Sequence, residues 1–258
     1  SRWILRLVEA LVRFLYRHSD RILIQSRAFA PPIEALGADA TRIRYFPNSA
    51  EALYQPAARA PATGNEPELP AGFRVMFAGN IGAAQDFETI LAAAVLLKNE
   101  TAIQWLVLGD GRLRAWVERE IEARGLQATF HLLGRHPPEA MPRFFARSDA
   151  MLVTLRKEPI FALTLPAKVQ SYLACAKPII AALDREGARV VTEARAGVAV
   201  PAQDPAALAD AVLGLARLAP DERLAMGARG RAYFEQHFER EMLLSKLEAW
   251  MQELKPAA

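Results

Sequence analysis

The chain's apolar residues fall into two rhythms, and their alternation is regular from Phe73 onward. Phe73 to Ala78 (FRVMFA) is a β-type run, followed by GNIGAAQ and a helical pattern from about Asp86 to Lys98. Ile103 to Leu108 (IQWLVL) reads as the next strand, then GDG, then a helix from about Leu113 to Ala123 closed by Gly125. Thr129 to Leu133 is a strand, Met141 to Ala146 a short helix, and Met151 to Leu155 (MLVTL) another strand. Arg156 to Pro166 reads as a loop with Pro166 in the first turn of a helix, where its missing N–H costs nothing. Val169, Tyr172, Leu173 and Ala176 recur at helical spacing until Lys177-Pro178 ends that helix. Ile179 to Leu183 and Gly197 to Val200 are the last strands, and Ala206 to Leu218, Asp221 to Phe238 and Glu241 to Leu254 read as closing helices. Strand and helix alternating across short turns predict an α/β fold with a Rossmann-like, doubly wound parallel sheet.

The start of the chain differs. Trp3, Leu7, Leu11, Phe14 and Leu15 share one helical face, and Arg2, Arg6, Arg13 and Arg17 give a basic side. That pattern predicts an amphipathic helix packed on a domain, with a membrane-surface helix as the alternative. Ile22 to Ile24 and Ile43 to Phe46 read as short strands around a helix from Ser26 to Leu36 that ends at Gly37. This βαβ piece is too small to be a domain, and the chain starts at Ser1, so we expect residues 1–54 to be the remnant of a larger one. QPAARAPATGNEPELPAG, residues 55–72, has the composition of a linker, which leaves 73–258 as the main domain.

Composition narrows the function classes. Half of the 258 residues are hydrophobic and a quarter charged, as in globular proteins. The formal net charge of +3 is small and its basic residues are scattered, which argues against nucleic acid as a partner. The single cysteine, Cys175, rules out a disulfide framework within the chain and reads as inert core. The four histidines have no metal-ligand spacing, so we expect no metal and no bound cofactor. No apolar run is long enough to span a membrane, and nothing reads as a cleavable signal, so the expected location is the cytoplasm.

Candidate chemistry lies where such sheets bind ligands, beyond the carboxyl ends of the strands. Gly79-Asn80-Ile81-Gly82 follows the first strand of the regular part, and Gly109-Asp110-Gly111 the second. Glycines there let a phosphate approach the backbone, and Asn80 can donate a hydrogen bond. The loop from Arg156 leads to Lys168 in the first helical turn, where free amides and the helix dipole favour an anion. No Walker loop or full GxGxxG occurs, so a dinucleotide site is not supported. Each turn also has a structural reading; the three on one sheet edge point to a phosphorylated ligand.

FAGNIGAAQDFETIL, LVLGDGRLRAWVE, HLLGRHPPEAMPRFFARSDAMLVTL, LPAKVQSYLACAKPIIA and GVAVPAQDPAALADAV, in this order, resemble the donor-sugar half of a family 4 glycosyltransferase. The resemblance is strongest to the branch that builds bacterial O-antigen and capsular polysaccharides, and covers residues 73 to 254. DRILIQSRAFAPPIEALG and RIRYFPN resemble the end of the same family's N-terminal domain. The resemblance implies the C-terminal half of a GT-B fold, with a last helix crossing back to the N-terminal side. It implies a nucleotide sugar, UDP-linked and carrying an N-acetylated amino sugar, transferred with retention and without metal to a lipid-linked or glycan acceptor. A peripheral contact with the inner face of the plasma membrane fits the basic first helix.

The resemblance also implies residue roles. Gly79, Asn80 and Gly82 would face the diphosphate and reacting sugar, Gly109 and Gly111 would lie beneath the nucleotide, and Arg135 and His136 would contact the base. Thr164, Leu165 and Pro166 form the helix entrance at the diphosphate, followed by Lys168 as the main cation and Ser171 near the ribose. Leu163 and Ser171 stand where many members carry two glutamates, and Gln85 where a lysine is usual. Glu158 is then the nearest acidic candidate for a sugar contact, Gln170 is expected to point to solvent, and Arg156 and Lys157 read as surface charge. Two other readings stay open: a nucleotide-sugar epimerase of similar architecture, and a non-catalytic nucleotide-sugar-binding or scaffold module.

Overall fold

The structure, a computed structural model, describes residues 2–62 and 66–254. The first helix, α1 (Arg2–His18), carries no buried residue, and Trp3, Leu5 and Leu7 are 64, 69 and 61 % exposed. The expectation that it packs on a domain is therefore not met: no other described element lies over its apolar stripe. β1 (Ile22–Ile24), a 3-10 turn capped by Ser26, α2 (Ala30–Ala35) and β2 (Ile43–Tyr45) follow, the two strands pairing in parallel. The described part of residues 55–72 has no regular structure, yet it is anchored. Leu69 is buried, and the Arg74 guanidinium donates to the carbonyls of Leu69 and Pro70.

The regular part runs β3 (Phe73–Ala78), α3 (Phe87–Leu96), β4 (Ile103–Leu108), α4 (Arg114–Ala123), β5 (Phe130–Gly134), α5 (Met141–Arg147) and β6 (Ala150–Thr154). It continues with α6 (Pro159–Leu163), α7 (Ala167–Ala174), β7 (Ile179–Ala182), α8 (Arg185–Glu193), β8 (Gly197–Val200), α9 (Pro205–Arg217), α10 (Pro220–His237) and α11 (Arg240–Gln252). The six strands β3 to β8 form one parallel sheet in the order β5-β4-β3-β6-β7-β8. Taken from β3 as the first strand this is the 3-2-1-4-5-6 order of the Rossmann sheet, and the direction of winding reverses between β3 and β6.

Both faces are covered, as near-continuous apolar strands require. Met76, Leu106, Met151 and Ile179 face a core with α5, α7, α8 and Phe234 of α10. Val75, Trp105, Leu152 and Ile180 face a second core with α3, α4 and α9. The returning helix α11 meets the β1–β2 piece: the Trp250 ring lies edge-on to Phe46, and Arg21 pairs with Glu253 at 2.9 Å.

Three helices differ from expectation. The loop after β6 contains α6, whose Pro159 suits a first turn although the run is too short to show a period. α8 was not expected at all. Its charged residues and Gly187 hide the apolar pair Val190 and Val191, which are fully buried. α7 also starts one residue late, at Ala167 with Pro166 as its cap, and ends at Ala174, before Ala176 turns left-handed (φ 53°).

Candidate functional site

The β3–β6 reversal leaves a crevice beyond the strand ends, and the glycine turns build its floor. Gly79 (φ 140°) and Gly109 (φ 133°) occupy a region that disfavours side chains. The amide of Gly79 donates to Leu108 O at 2.8 Å, and that of Gly109 to Gly134 O at 2.8 Å, so each turn is held by the next strand. A methyl group on Gly109 would fall on the Gly79 carbonyl, and one on Gly111 would press on Asn80 and Ile81. Gly109 and Gly111 thus lie beneath the first turn. Asn80 is exposed above it, and Gly82 is buried as it leads into the 3-10 turn before α3. Turned to donate, the Gln85 amide reaches the carbonyls of Asn80 (3.2 Å) and Gly82 (3.3 Å), which braces the loop from within.

Lys168 reaches this floor from α7. Its Nζ lies 3.8 Å from the centre of the Phe77 ring, and a methyl group on Gly79 would come within 2.6 Å of its Cε. The ammonium over the ring face is a cation–π contact. Burial pulls the Lys168 pKa down from its ordinary value to about 7. No salt bridge neutralises it among the described residues. Tyr172, one turn further along α7, sets the position. Its buried hydroxyl accepts from Ala78 N (3.2 Å) and donates to Ala78 O (3.4 Å), which ties α7 to the end of β3.

Gly79, Lys168 and Ser171 line one cavity of about 350 Å³. The Ser171 hydroxyl donates only a long 3.4 Å bond to Ala167 O. Thr164, Leu165 and Pro166 form the junction of α6 and α7, as expected of a helix entrance. Leu165 is buried in the core, and the Thr164 hydroxyl is engaged with Ile160 O at 2.8 Å. Arg135 and His136 follow β5, two strands away from β3, and do not line this cavity. Arg135 is exposed, whereas His136 bonds Leu133 O and leans on the Phe144 ring. Glu158 sits at the start of α6 without a side-chain capping bond, exposed and outside the cavity, and Arg156 and Lys157 are surface charges as expected.

Gln170 corrects an expectation. It is fully buried rather than directed to solvent, and neither amide atom has a hydrogen-bond partner. It shares a helical face with Leu173, and Leu173 packs on Gly230 of α10, so that face points inward. Cys175 is buried core, its thiol pushed up to about 12 by burial, as its inert reading requires.

Sequence reasoning missed the cavity's other wall. Ser49, Glu51 and Tyr54 line it from the segment after β2, and Tyr54 stacks on Phe145 of α5 at 5.9 Å. No periodic pattern marks these residues, because the contact joins parts of the chain far apart in sequence. A larger cleft of about 680 Å³ opens beside Asp86, Trp116 and Arg156, and none of the expected site residues lines it.

The profile of the family described as Glycosyl transferases group 1 matches residues 72–217. The chain is 30% identical over 254 residues to the probable glycosyltransferase WbjE of Pseudomonas aeruginosa, covering 96% of this chain and 62% of WbjE. Among solved structures, sucrose-phosphate synthase from Thermosynechococcus elongatus superposes with a TM-score of 0.75 at 21% identity, over 95% of this chain and 61% of that one. HepE of Anabaena in complex with UDP-glucose gives 0.74 at 15% identity, over 95% and 68%. These structural likenesses bear on the fold, which is the Rossmann-like C-terminal half of the GT-B arrangement. The family profile spans more than half of the chain and contains both glycine turns, Lys168 and Ser171: the chain belongs to the glycosyl transferases group 1 family.

Proposed function

We propose that residues 73–258 are the nucleotide-sugar-binding domain of a glycosyltransferase, joined by 55–72 to the end of an acceptor-side domain at 1–54. The observation that carries this reading is the Lys168 ammonium, seated on Phe77 against the Gly79 backbone at the winding reversal, with no acidic partner among the described residues. A cation so placed beside a helix start and a glycine turn matches a diphosphate. Breaking the sugar–phosphate bond leaves growing charge on that diphosphate. Lys168, the Ala167 and Lys168 amides and the Gly79 turn stabilise it as it develops, without reorganising. Lys168 is therefore the catalytic residue of the proposal. Gly79, Asn80 and Gly82 bound the diphosphate side, Gly109 and Gly111 support it from beneath, and Thr164, Leu165 and Pro166 shape the helix start. Ser171 faces the nucleoside, and Arg135 and His136 extend the site toward the base.

We further propose a UDP-linked N-acetylated amino sugar as donor, a lipid-linked or glycan acceptor, and transfer with retention that draws on these groups rather than on a metal. UDP-glucose in HepE supports the nucleotide class. The α1 surface supports the lipid: an exposed apolar stripe with Arg2, Arg6, Arg13 and Arg17 suits an anionic bilayer at the cytoplasmic face. Because Leu163 and Ser171 are not carboxylates, a binding module without transfer is the second reading.

Calorimetric titration with UDP, GDP and a panel of UDP-linked sugars tests the binding. Saturable binding of the uridine nucleotides alone is the expected result, and binding of none of them would overturn the reading. Transfer of radiolabelled sugar to a lipid extract by the longer protein separates the transferase from the binding module.

A further inference from the structure

The larger cleft lies at the starts of α3, α4 and α9, the three helices that cover the second core, whereas Lys168 comes from α7 on the other face of the sheet. It holds about 680 Å³, against about 350 Å³ for the Lys168 cavity. The donor chemistry described above makes no use of it. Its walls are pinned to one another. Arg156 N donates to Ala84 O at 2.9 Å, Lys157 N to Gln203 Oε1 at 3.2 Å, and Leu113 N to Ile81 O at 3.0 Å. The loops after β3, β4, β6 and β8 are thereby fixed relative to each other at the cleft. Asp86 (φ 49°) and Gln203 (φ 61°) both take left-handed backbone, which is uncommon outside glycine and is held in place by these neighbours.

The lining keeps free bonding capacity. Asp86 is buried, and among the described residues only one of its carboxylate oxygens is engaged, by the Thr89 hydroxyl at 2.5 Å. Arg156 is exposed and bonds the described residues through its amide alone. Trp116 is half-buried against the second core, and its Nε1 bonds no described residue. Glu88 is already taken, with both oxygens accepting from Arg124 at 2.8 and 2.9 Å. One carboxylate and one guanidinium therefore remain, and the cleft is close to neutral. That balance disfavours a polyanion such as a nucleotide, and polar groups in the lining disfavour an acyl chain. A pyranose suits the set. Each of its hydroxyls both donates and accepts, as a lining of mixed donors and acceptors requires. Its C–H face lies on an aromatic ring while its polar groups reach the ring edge. The volume falls within the roughly 300–1,000 Å³ of small-ligand sites.

We propose that this cleft is a glycan-binding site separate from the Lys168 cavity, taking an uncharged sugar chain with one ring on Trp116 and its hydroxyls on Asp86, Arg156 and Gln203. The proposal goes beyond the nucleotide reading and does not depend on it. The loop after β3 lies between the two sites: Gly79 lines the Lys168 cavity, and Ala83 and Asp86 line the cleft. A sugar chain anchored here stays one loop away from the proposed transfer site.

The test titrates maltotetraose, cellotetraose and tetra-N-acetylchitotetraose into the whole chain, with and without saturating UDP, by calorimetry and ligand-observed NMR. At least one of them is expected to bind saturably, with an affinity that UDP does not change. Arg156→Ala is expected to weaken that binding about fivefold with an unchanged melting temperature, because the side chain is exposed. Trp116→Leu keeps an apolar side chain against the core but removes the ring, and is expected to cost about tenfold. Trp116→Phe restores a ring and should recover part of the loss. UDP binding by all three variants should match the native chain. Binding of none of the three sugars, displacement of the sugar by UDP, or native-level binding by both Arg156→Ala and Trp116→Leu would overturn the site. The UDP titration is read separately, so the glycan site and the nucleotide reading can each fail without the other.

Discussion

Lys168 concentrates the chemistry of this chain, and its state is set by its surroundings. A lysine whose folded pKa is lowered to about 7 holds its proton less tightly folded than unfolded. Between about pH 7 and the ordinary lysine range the unfolded chain binds more protons. Stability therefore rises with pH across that window and gains nothing further from this group below it. Ligand binding has the opposite sign. The charged form attracts the diphosphate, so affinity for a UDP-linked sugar should fall as pH rises through about 7. Lys168→Met should flatten that profile and weaken binding at pH 6.5 by tenfold or more, without lowering the melting temperature, since it removes a poorly solvated charge. Gly79→Ala should also impair binding, because the new methyl group meets Lys168 Cε at 2.6 Å in a backbone region of positive φ. Gln170 offers an independent check on packing. Replacing its two unpartnered amide atoms by Gln170→Met should raise stability by roughly 1–3 kcal/mol in urea unfolding.

At the scale of elements, the site depends on how α7 is hung from β3. Tyr172→Phe removes the two bonds to Ala78 and leaves an amide and a carbonyl less well satisfied inside the core. The expected cost is about 1–2 kcal/mol of stability, together with weaker nucleotide binding as α7 gains freedom; binding at the native level would refute the tethering role. Much of this was legible beforehand. Mostly apolar runs of six residues such as FRVMFA and IQWLVL, too short for a typical helix and followed directly by glycine turns, read as buried strands. α8 was not legible, because its two core residues, Val190 and Val191, sit among charged residues, and Glu186 is buried by pairing with Arg189 and accepting from Arg27 N, contacts that no local period encodes. Gln170 was misread for a related reason: polar type suggested solvent, whereas the face it shares with Leu173 is covered by α10.

At the scale of the whole molecule, the chain spans 62% of the length of WbjE, and its α1 presents an apolar stripe that no described element covers. If that stripe meets a bilayer, sedimentation with anionic vesicles should capture the protein at low salt. Leu7→Asp with Leu11→Asp should release it, and failure of the native chain to sediment would remove the membrane proposal. The cleft wall from Glu51 to Tyr54 was invisible in the sequence for the same reason of scale, since it forms only when the β1–β2 piece and the six-stranded sheet come together. The most direct test of the central claim is one calorimetric pair: a UDP-linked sugar titrated into the native chain and into Lys168→Met at pH 6.5 and pH 8.5. The account predicts tight binding by the native chain at pH 6.5, weaker binding at pH 8.5, and weak, pH-independent binding by the variant. Equal affinity of the two proteins at both pH values would contradict it.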